Sequence, residues 1–486
     1  MRERRGTRQA KALVGCALLL ALCALLTPSP APVRAAGVVG GGFPESCTTS
    51  ALLAALNGGG LVTFNCGPAP VSISLTSRIH ISGTVTLDGA GLVTLNGGGA
   101  TGLFLVTTGA TLELRNLTLS QGSDPGGHGG AIYNAGSLRL RGVTVRDNQA
   151  DAGGGIYNAG GNVEVSESTL HGNGAGLSGG GGIYNAGGTL TIERSTLSGN
   201  TSRMHGGGVF SQAGHLRISN STLSGNSAAQ RGGGIYHVGP AELLWSTLSG
   251  NRARFGDGGN VYSIGSLTWG AVIFAAGTPR NCSGIGTFVS RGGTISSDSS
   301  CSAGGPGDRN NLDPRLGPLR DNGGPSQTHA LLGGSPARDA ATQGGCPTTD
   351  QRGVPRPIDG NGDGTAQCDA GAVEAAPNAG PSMSGAPYLD ESSSAINRGT
   401  FGLRWPVASD PEGDPVTYTL LHKEARDASY SIVAEGLTST SYVFGADNPE
   451  AVGVWTYIVR ASDGAASGAP SPASLPVTVT DEARGI

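Results

Sequence analysis

The sequence predicts an all-β chain: a right-handed parallel β-helix solenoid followed by an antiparallel β-sandwich. Three observations carry this expectation. A unit recurs with its apolar marker at Ile132, Ile156, Ile183, Val209, Ile235 and Val261, at spacings of 24, 27, 26, 26 and 26 residues. A fixed period in the twenties is the signature of a solenoid. Within each unit apolar and polar residues alternate, which gives strands with one buried face. The repeat stops near residue 281, and beyond a Pro/Gly/Ser-rich stretch at 377–386 longer alternating strands begin.

The clearest copy of the unit is Gly179 to Asn200, GGGGIYNAGGTLTIERSTLSGN. A glycine run meets an apolar–aromatic pair, then a short strand, a Ser-Thr-Leu step and an Asn. Leu138, Val163, Leu190 and Leu216 fall in one column. Leu140, Val165, Ile192, Ile218 and Leu243 fall in the next, and Leu119, Val145, Leu170, Leu197, Leu223 and Leu248 in a third. No rung buries its face alone, so stacking at roughly 4.8 Å must build the core. About three strands per repeat predict a triangular coil, right-handed by the general preference of parallel crossovers. Leucine-rich repeats share the period, but their helix-forming half is missing.

Composition agrees. Gly is 86 of 486 residues, more than twice the usual share. The glycines cluster at repeat junctions without a collagen period, and only 14% of residues are charged, too few for a disordered polyelectrolyte.

Residues 1–36 read as a secretory signal peptide. Arg2, Arg4, Arg5, Arg8 and Lys11 precede an apolar run from Leu13 to Leu26, and cleavage is expected near Ala35 or Ala36. An uncleaved anchor is the rival reading, although the run is short for a span. Cleavage leaves 25 basic and 34 acidic residues, a net charge of −9, which disfavours a nucleic-acid partner. No membrane span is expected after removal, and the protein is expected outside the cell or on its surface. The six remaining cysteines fall as three local couples, Cys47 with Cys66, Cys282 with Cys301 and Cys346 with Cys368. No Cys-x-x-Cys pair exists, so zinc is disfavoured.

In chain order, residues 37–79 read as an N-terminal cap with a helix over 50–57 and a strand over 61–64. Residues 80–281 hold the repeats. Residues 282–376 read as a closing cap, 377–386 as a linker, and 387–481 as the sandwich.

The Gly-Gly-x-Ile-Tyr and Leu-x-Gly-Asn elements resemble the repeats of polymorphic outer membrane proteins. The second element there carries Phe; here Leu170, Leu197, Leu223 and Leu248 replace it, and Val145 in the remaining copy. Asn310–Gly317, Asp321–Ala330, Gly334–Asp339, Asp350–Pro357 and Cys368–Glu374 resemble the choice-of-anchor Q region of bacterial surface β-helix proteins. Arg338 stands where that region carries an apolar residue. The resemblance implies an extracellular, adhesin-like protein of a bacterial envelope. Trp405, Tyr418 and the run Trp455–Gly464 resemble a fibronectin type III domain, with Trp405 and Tyr457 as core anchors.

Candidate chemistry is sparse. Gly127-His128-Gly129 echoes a polygalacturonase motif, but such chemistry needs a carboxylate pair. Asp124, Asp147, Asp151 and Asp257 match no such pair, so His128 is a weak catalytic candidate. Tyr133, Tyr157, Tyr184, Phe210, Tyr236 and Tyr262 alternate with the core Ile column and therefore face outward. An exposed stripe of rings would suit a polysaccharide or another surface protein; rings stacked against the turn are the alternative. Asn148, Asn173, Asn200, Asn226 and Asn251 read as a side-chain amide ladder. Asp359, Asn361, Asp363, Thr365 and Asp369 resemble a calcium loop, with Ala370 where the bidentate Glu belongs. Two functions follow: a non-catalytic adhesive, ligand-binding or envelope-structural protein, or a carbohydrate-active lyase or hydrolase.

Overall fold

The computed structural model describes residues 35–341, 345–390 and 399–480. The expected signal peptide, up to residue 34, lies outside them. Among the described residues, 26 strands form one continuous sheet and six more form a second. Pairing within both is parallel, rung on rung. Along one ladder Ile132, Ile156, Ile183, Val209, Ile235 and Val261 are direct partners. Along a second, Leu138, Val163, Leu190 and Leu216 pair in register. A third runs from Leu119 through Val145, Leu170, Leu197 and Leu223 to Leu248. All these side chains lie in one elongated core.

Six of the rungs carry four strands rather than the three expected. The fourth ladder is the six-stranded sheet, Ser123–His128, Gln149–Ala152, Gly174–Gly179, Thr201–Ser202, Ser227–Ala228 and Arg252–Ala253. Its inward positions are Ala150, Ala175, Ser202, Ala228 and Ala253. One small inward residue per rung leaves no alternation to read, which is why it escapes sequence inspection.

The solenoid also outruns the expected boundaries. Ala35–Val39, Gly60–Phe64 and Val71–Ser74 already pair in parallel within the ladder, so 37–79 is more rung than cap. The helix Thr49–Leu56 serves as the lid. Its N-cap Thr48 accepts the Ala51 N–H at 3.2 Å, and Leu52 is buried. At the other end Cys282–Gly284, Thr287–Ser290 and Ile295–Ser296 extend the ladders past residue 281. The cysteines pair as 47–66, 282–301 and 346–368, with Cα separations of 5.7, 4.7 and 6.3 Å. The first two bracket the two ends of the solenoid.

Residues 316–341 and 345–375 then fold back over the third ladder. Gln351 donates to Thr196 Oγ1 at 2.8 Å and accepts from Thr222 Oγ1 at 2.7 Å. Thr247 Oγ1 accepts the Ala372 N–H at 3.1 Å, and Asn220 donates to the Thr349 carbonyl. Buried hydroxyls on successive rungs are thus answered by one returning segment. Arg338, unexpected in an apolar context, donates to the carbonyls of Leu331, Gly360 and Ala376.

The last unit holds two antiparallel sheets, Phe401–Arg404 with Tyr388–Leu389 and Ser441–Phe444, and Thr417–Glu424 with Ser431–Leu437, Gly453–Ser462 and Val477–Val479. Trp405, Tyr418 and Tyr457 are buried between them. It meets the returning segment through Arg320 to the Glu412 carbonyl, Gly333 N–H to Asp414, and Asn378 to Asp463.

A second polar column runs inside the first ladder: Asn134, Asn158, Asn185, Ser211 and His237, each one residue past the ring. Asn134 donates to Asn158 at 2.8 Å and Asn158 to Asn185 at 2.7 Å. His237, followed in register by the buried Ser263, places Nδ1 on the Gly239 carbonyl at 3.0 Å and leaves Nε2 buried without a partner. Burial pushes this imidazole down to about 4. The unfolded chain binds its proton first, near pH 6.5, so stability is intact above that pH and falls as pH drops toward 4. The cost approaches roughly 3 kcal/mol. Denaturant midpoints measured between pH 7 and 4 are expected to fall, and His237→Asn, which suits the amide column, is expected to flatten that loss.

Candidate functional site

The six rings do stand opposite the Ile column, but they do not form an exposed stripe. Tyr184, Phe210, Tyr236 and Tyr262 are buried, and only Tyr133 and Tyr157 are half-buried. They form a second apolar column outside the coil, packed with Ala152, Ala186, Val238 and Ile264. Tyr133 and Tyr157 stack at 5.4 Å, Tyr157 and Tyr184 at 5.2 Å, and Tyr236 and Tyr262 at 5.5 Å; Phe210 meets its neighbours edge-on. The cover comes from the segment just before each glycine corner. His128 stacks on Tyr157 at 4.4 Å, His205 on Tyr236 at 4.5 Å, and Arg231 sits 4.9 Å over Tyr262. Gly180, at φ +71°, turns the chain back so that this segment overhangs the rings. The rings therefore staple the fourth ladder to the first. A ligand cannot stack along the whole column without displacing that cover.

The Asn column is a buried ladder. Each of Asn148, Asn173, Asn200 and Asn226 donates Nδ2–H to the next Oδ1 at 2.9 Å. Each also donates to a carbonyl of the preceding rung, as Asn200 does to Leu170 at 2.9 Å. Asn200 and Asn220, which open Asn-x-Ser/Thr sequons, are buried, and Asn200 has no side-chain atom to spare.

The nominated carboxylates are dispersed. Asp124 pairs with Arg78 at 3.1 Å and accepts the His128 N–H at 3.2 Å, which fixes the Gly127–Gly129 turn. Asp147 pairs with Arg146. Asp151 accepts Leu177 N–H and Ser178 Oγ–H, and Asp257 accepts Ser283 Oγ–H and pairs with Arg280. His128 is a stacked turn residue beside a paired carboxylate. Among the described residues a serine–histidine contact, Ser224 Oγ to His329 Nε2 at 2.9 Å, is buried where the returning segment meets the third ladder and belongs to that seam.

The calcium-like loop is corrected at one ligand. Asp359 accepts the N–H groups of Gly362 and Gly364, and Asp363 accepts that of Thr365. Asn361 bonds Asp363, also within the loop. Asp369 instead turns inward, accepting Asp339 N–H and Ala375 N–H beside Glu374 and Arg356. Burial, then the Glu374 charge, pushes its carboxyl up to about 7. An acid buried in that network does not converge with Asp359, Asn361, Asp363 and Thr365 on one cation, so the five do not make a calcium site. The loop is a turn whose carboxylates satisfy its own backbone. Among the described residues the close carboxylate cluster is Asp410, Glu412 and Asp414, at the junction with the sandwich.

A feature not expected from the sequence is a trough on the outer face of the fourth ladder. Its volume is about 460 Å³, and its lining runs from Pro125 and Gln149 through Gly174, Thr201 and Ser227 to Arg254. Thr201 and Ser227 are in-register outward positions, two small hydroxyls on adjacent rungs. Arg203 and Arg254 line one side, two rungs apart with Ala229 between. Aligning the dipeptides that follow each ladder Asn would have exposed this pattern.

Residues 88–268 match the family described as right handed beta helix region. No curated protein matches the sequence. A crystal structure of titin domains aligns at 17% identity with a TM-score of 0.19, over 24% of this chain and 39% of that one. The chain thus covers well under half of that structure, and the similarity is too slight to bear on function. The family match and the register of the rungs agree, and the chain is a parallel β-helix repeat protein.

Proposed function

We propose that this chain is a non-catalytic, secreted or cell-surface β-helix protein whose work is ligand binding, adhesion or envelope structure. One observation carries the reading: the four aspartates nominated for chemistry, Asp124, Asp147, Asp151 and Asp257, are each committed to an arginine, a hydroxyl or a backbone N–H group. Glycoside hydrolysis takes two carboxyls facing one bond, roughly 5–10 Å apart, and Asp124, Asp147, Asp151 and Asp257 serve separate turns. The trough on the fourth ladder is the face on which a partner would lie. The resemblances add an exported protein held at a bacterial surface, with the choice-of-anchor Q-like segment closing the solenoid and a fibronectin-like unit following it. The alternative is a carbohydrate-active lyase or hydrolase.

Incubated with pectic and other polyuronate substrates, the full chain is expected to release no reducing ends and no unsaturated products. Turnover that disappears in His128→Ala or Asp124→Asn would overturn the non-catalytic reading. The exported protein is expected to begin near Ala36 or Gly37 by N-terminal sequencing.

A further inference from the structure

Thirteen arginines lie between residues 78 and 291, and nine of them are ion-paired. The four without a carboxylate partner are Arg203, Arg231, Arg252 and Arg254, all exposed and all in or beside the fourth ladder. Arg231 is engaged over Tyr262. That leaves three free guanidinium groups, Arg252 on the last strand of the ladder and Arg203 and Arg254 lining the trough, in a chain whose formal charge is −4. The carboxylate of Asp151, beside Gly176, is taken up by Leu177 N–H and Ser178 Oγ–H, so the unpaired guanidinium groups of Arg203 and Arg254 set the local field on their side of the trough, and that field favours an anion.

Building on the ligand-binding reading above, we propose that the trough takes a linear acidic polysaccharide lying along the solenoid axis, with carboxylates on alternate sugars. Arg203 and Arg254 occupy equivalent places two rungs apart, about 10 Å at the usual strand spacing. That separation corresponds to two sugars of an extended chain, so each carboxylate meets one guanidinium fork, a bidentate match that lysine cannot make. Ser227 stands on the rung between them, and Gln149, Gly174 and Thr201 carry the floor on toward the N-terminal rungs. Small and hydroxyl-bearing side chains let a sugar ring approach closely and accept its hydroxyl bonds. Leu177 and Phe255, both strongly exposed, directly follow the lining residues Gly176 and Arg254 and offer apolar edges for ring faces.

Other polyanions fit less well. A single-stranded nucleic acid would need rings for base stacking, and most of the aromatic column is covered. An acidic peptide adding as a strand would need free backbone groups, and the fourth ladder's are spent between rungs.

The test is titration of the full chain with hyaluronan, in which uronate alternates with a neutral sugar, beside neutral dextran, a sulfated glycan and oligo-dT. Hyaluronan is expected to bind and dextran not. Arg203→Ser with Arg254→Ser is expected to weaken binding at least about tenfold, while Arg139→Ser, on the second ladder, leaves it unchanged. Thermal unfolding of both variants confirms that they fold. Equal binding of dextran, an unaffected double variant, or oligo-dT or the sulfated glycan bound more tightly than hyaluronan would each overturn the proposal. A neutral glycan bound in the trough would overturn it while leaving the ligand-binding reading intact, whereas depolymerisation of hyaluronan would overturn the non-catalytic reading itself.

Discussion

Gly181→Ala is expected to unfold the central rungs at a cost of roughly 3 kcal/mol or more. A methyl group at this position would lie 2.3 Å from the Gly207 carbonyl oxygen and 2.4 Å from that of Thr201. Both obstacles are backbone, held on the neighbouring rung by ladder bonds, so neither can rotate away. Gly199→Ala provides the contrast. Its added carbon meets nothing within 4 Å, but its φ is +61°. It carries only the cost of a left-handed residue, about 1 kcal/mol. Urea denaturation of the two variants should separate them clearly; equal losses would mean that conformation rather than close approach makes the corner glycine-rich.

Asn200→Leu is expected to be comparably severe. The side chain donates to Leu170 O and Asn226 Oδ1 and accepts from both the backbone N–H and the Nδ2 of Asn173. Leucine fills the volume but breaks four buried hydrogen bonds; Asn226 Oδ1 keeps the backbone N–H of residue 200 and Asn173 Nδ2 keeps the Val145 carbonyl, while each group left without a partner costs about 1–3 kcal/mol. Asn200→Asp separates hydrogen bonding from packing. It keeps the acceptor and the shape but places a carboxylate oxygen against two other oxygens, so it is expected to be no better than leucine at neutral pH. Calorimetric melting near that of the parent protein for either variant would refute the ladder's energetic role.

What could be read from the sequence follows from how many residues speak for each feature. The first three ladders are written as Leu, Ile and Val at fixed offsets, such as Leu190, Ile192 and Leu197, and their columns emerged directly. The Asn ladder was legible for the same reason. The fourth ladder was not, because Ala175 or Ala228 alone marks its inward face. The rings show a different limit. Alternation correctly set Tyr184 opposite Ile183, yet exposure depends on His205 and Arg231, residues 20 or more positions away that arrive by way of a glycine corner. The calcium resemblance failed at Asp369 because local spacing carries no information about Arg356 and Glu374, with which that acid is buried. The same holds for the trough: nothing in the spacing of Arg203 or Arg254 marks their lack of carboxylate partners until every other arginine has been paired.

The amide ladder also has closed ends. Its first member, Asn148, accepts the Gly122 N–H; past Asn251 it continues through Asn260 to Asn281, which donates to the Phe274 carbonyl and to Ser296 and Ser297. From Asn148 to Asn226 the members are interchangeable, handing the same bonds forward and back. The returning segment, by contrast, recognises particular rungs through Thr196, Thr222 and Thr247. A whole repeat duplicated between Asn148 and Asn173 would leave every amide partnered and that seam untouched; one duplicated between Asn200 and Asn251 would pull the seam out of register. The molecule is therefore built like an extending mast, able to grow by a rung of about 4.8 Å at its N-terminal half while its locked base keeps the C-terminal unit where it stands.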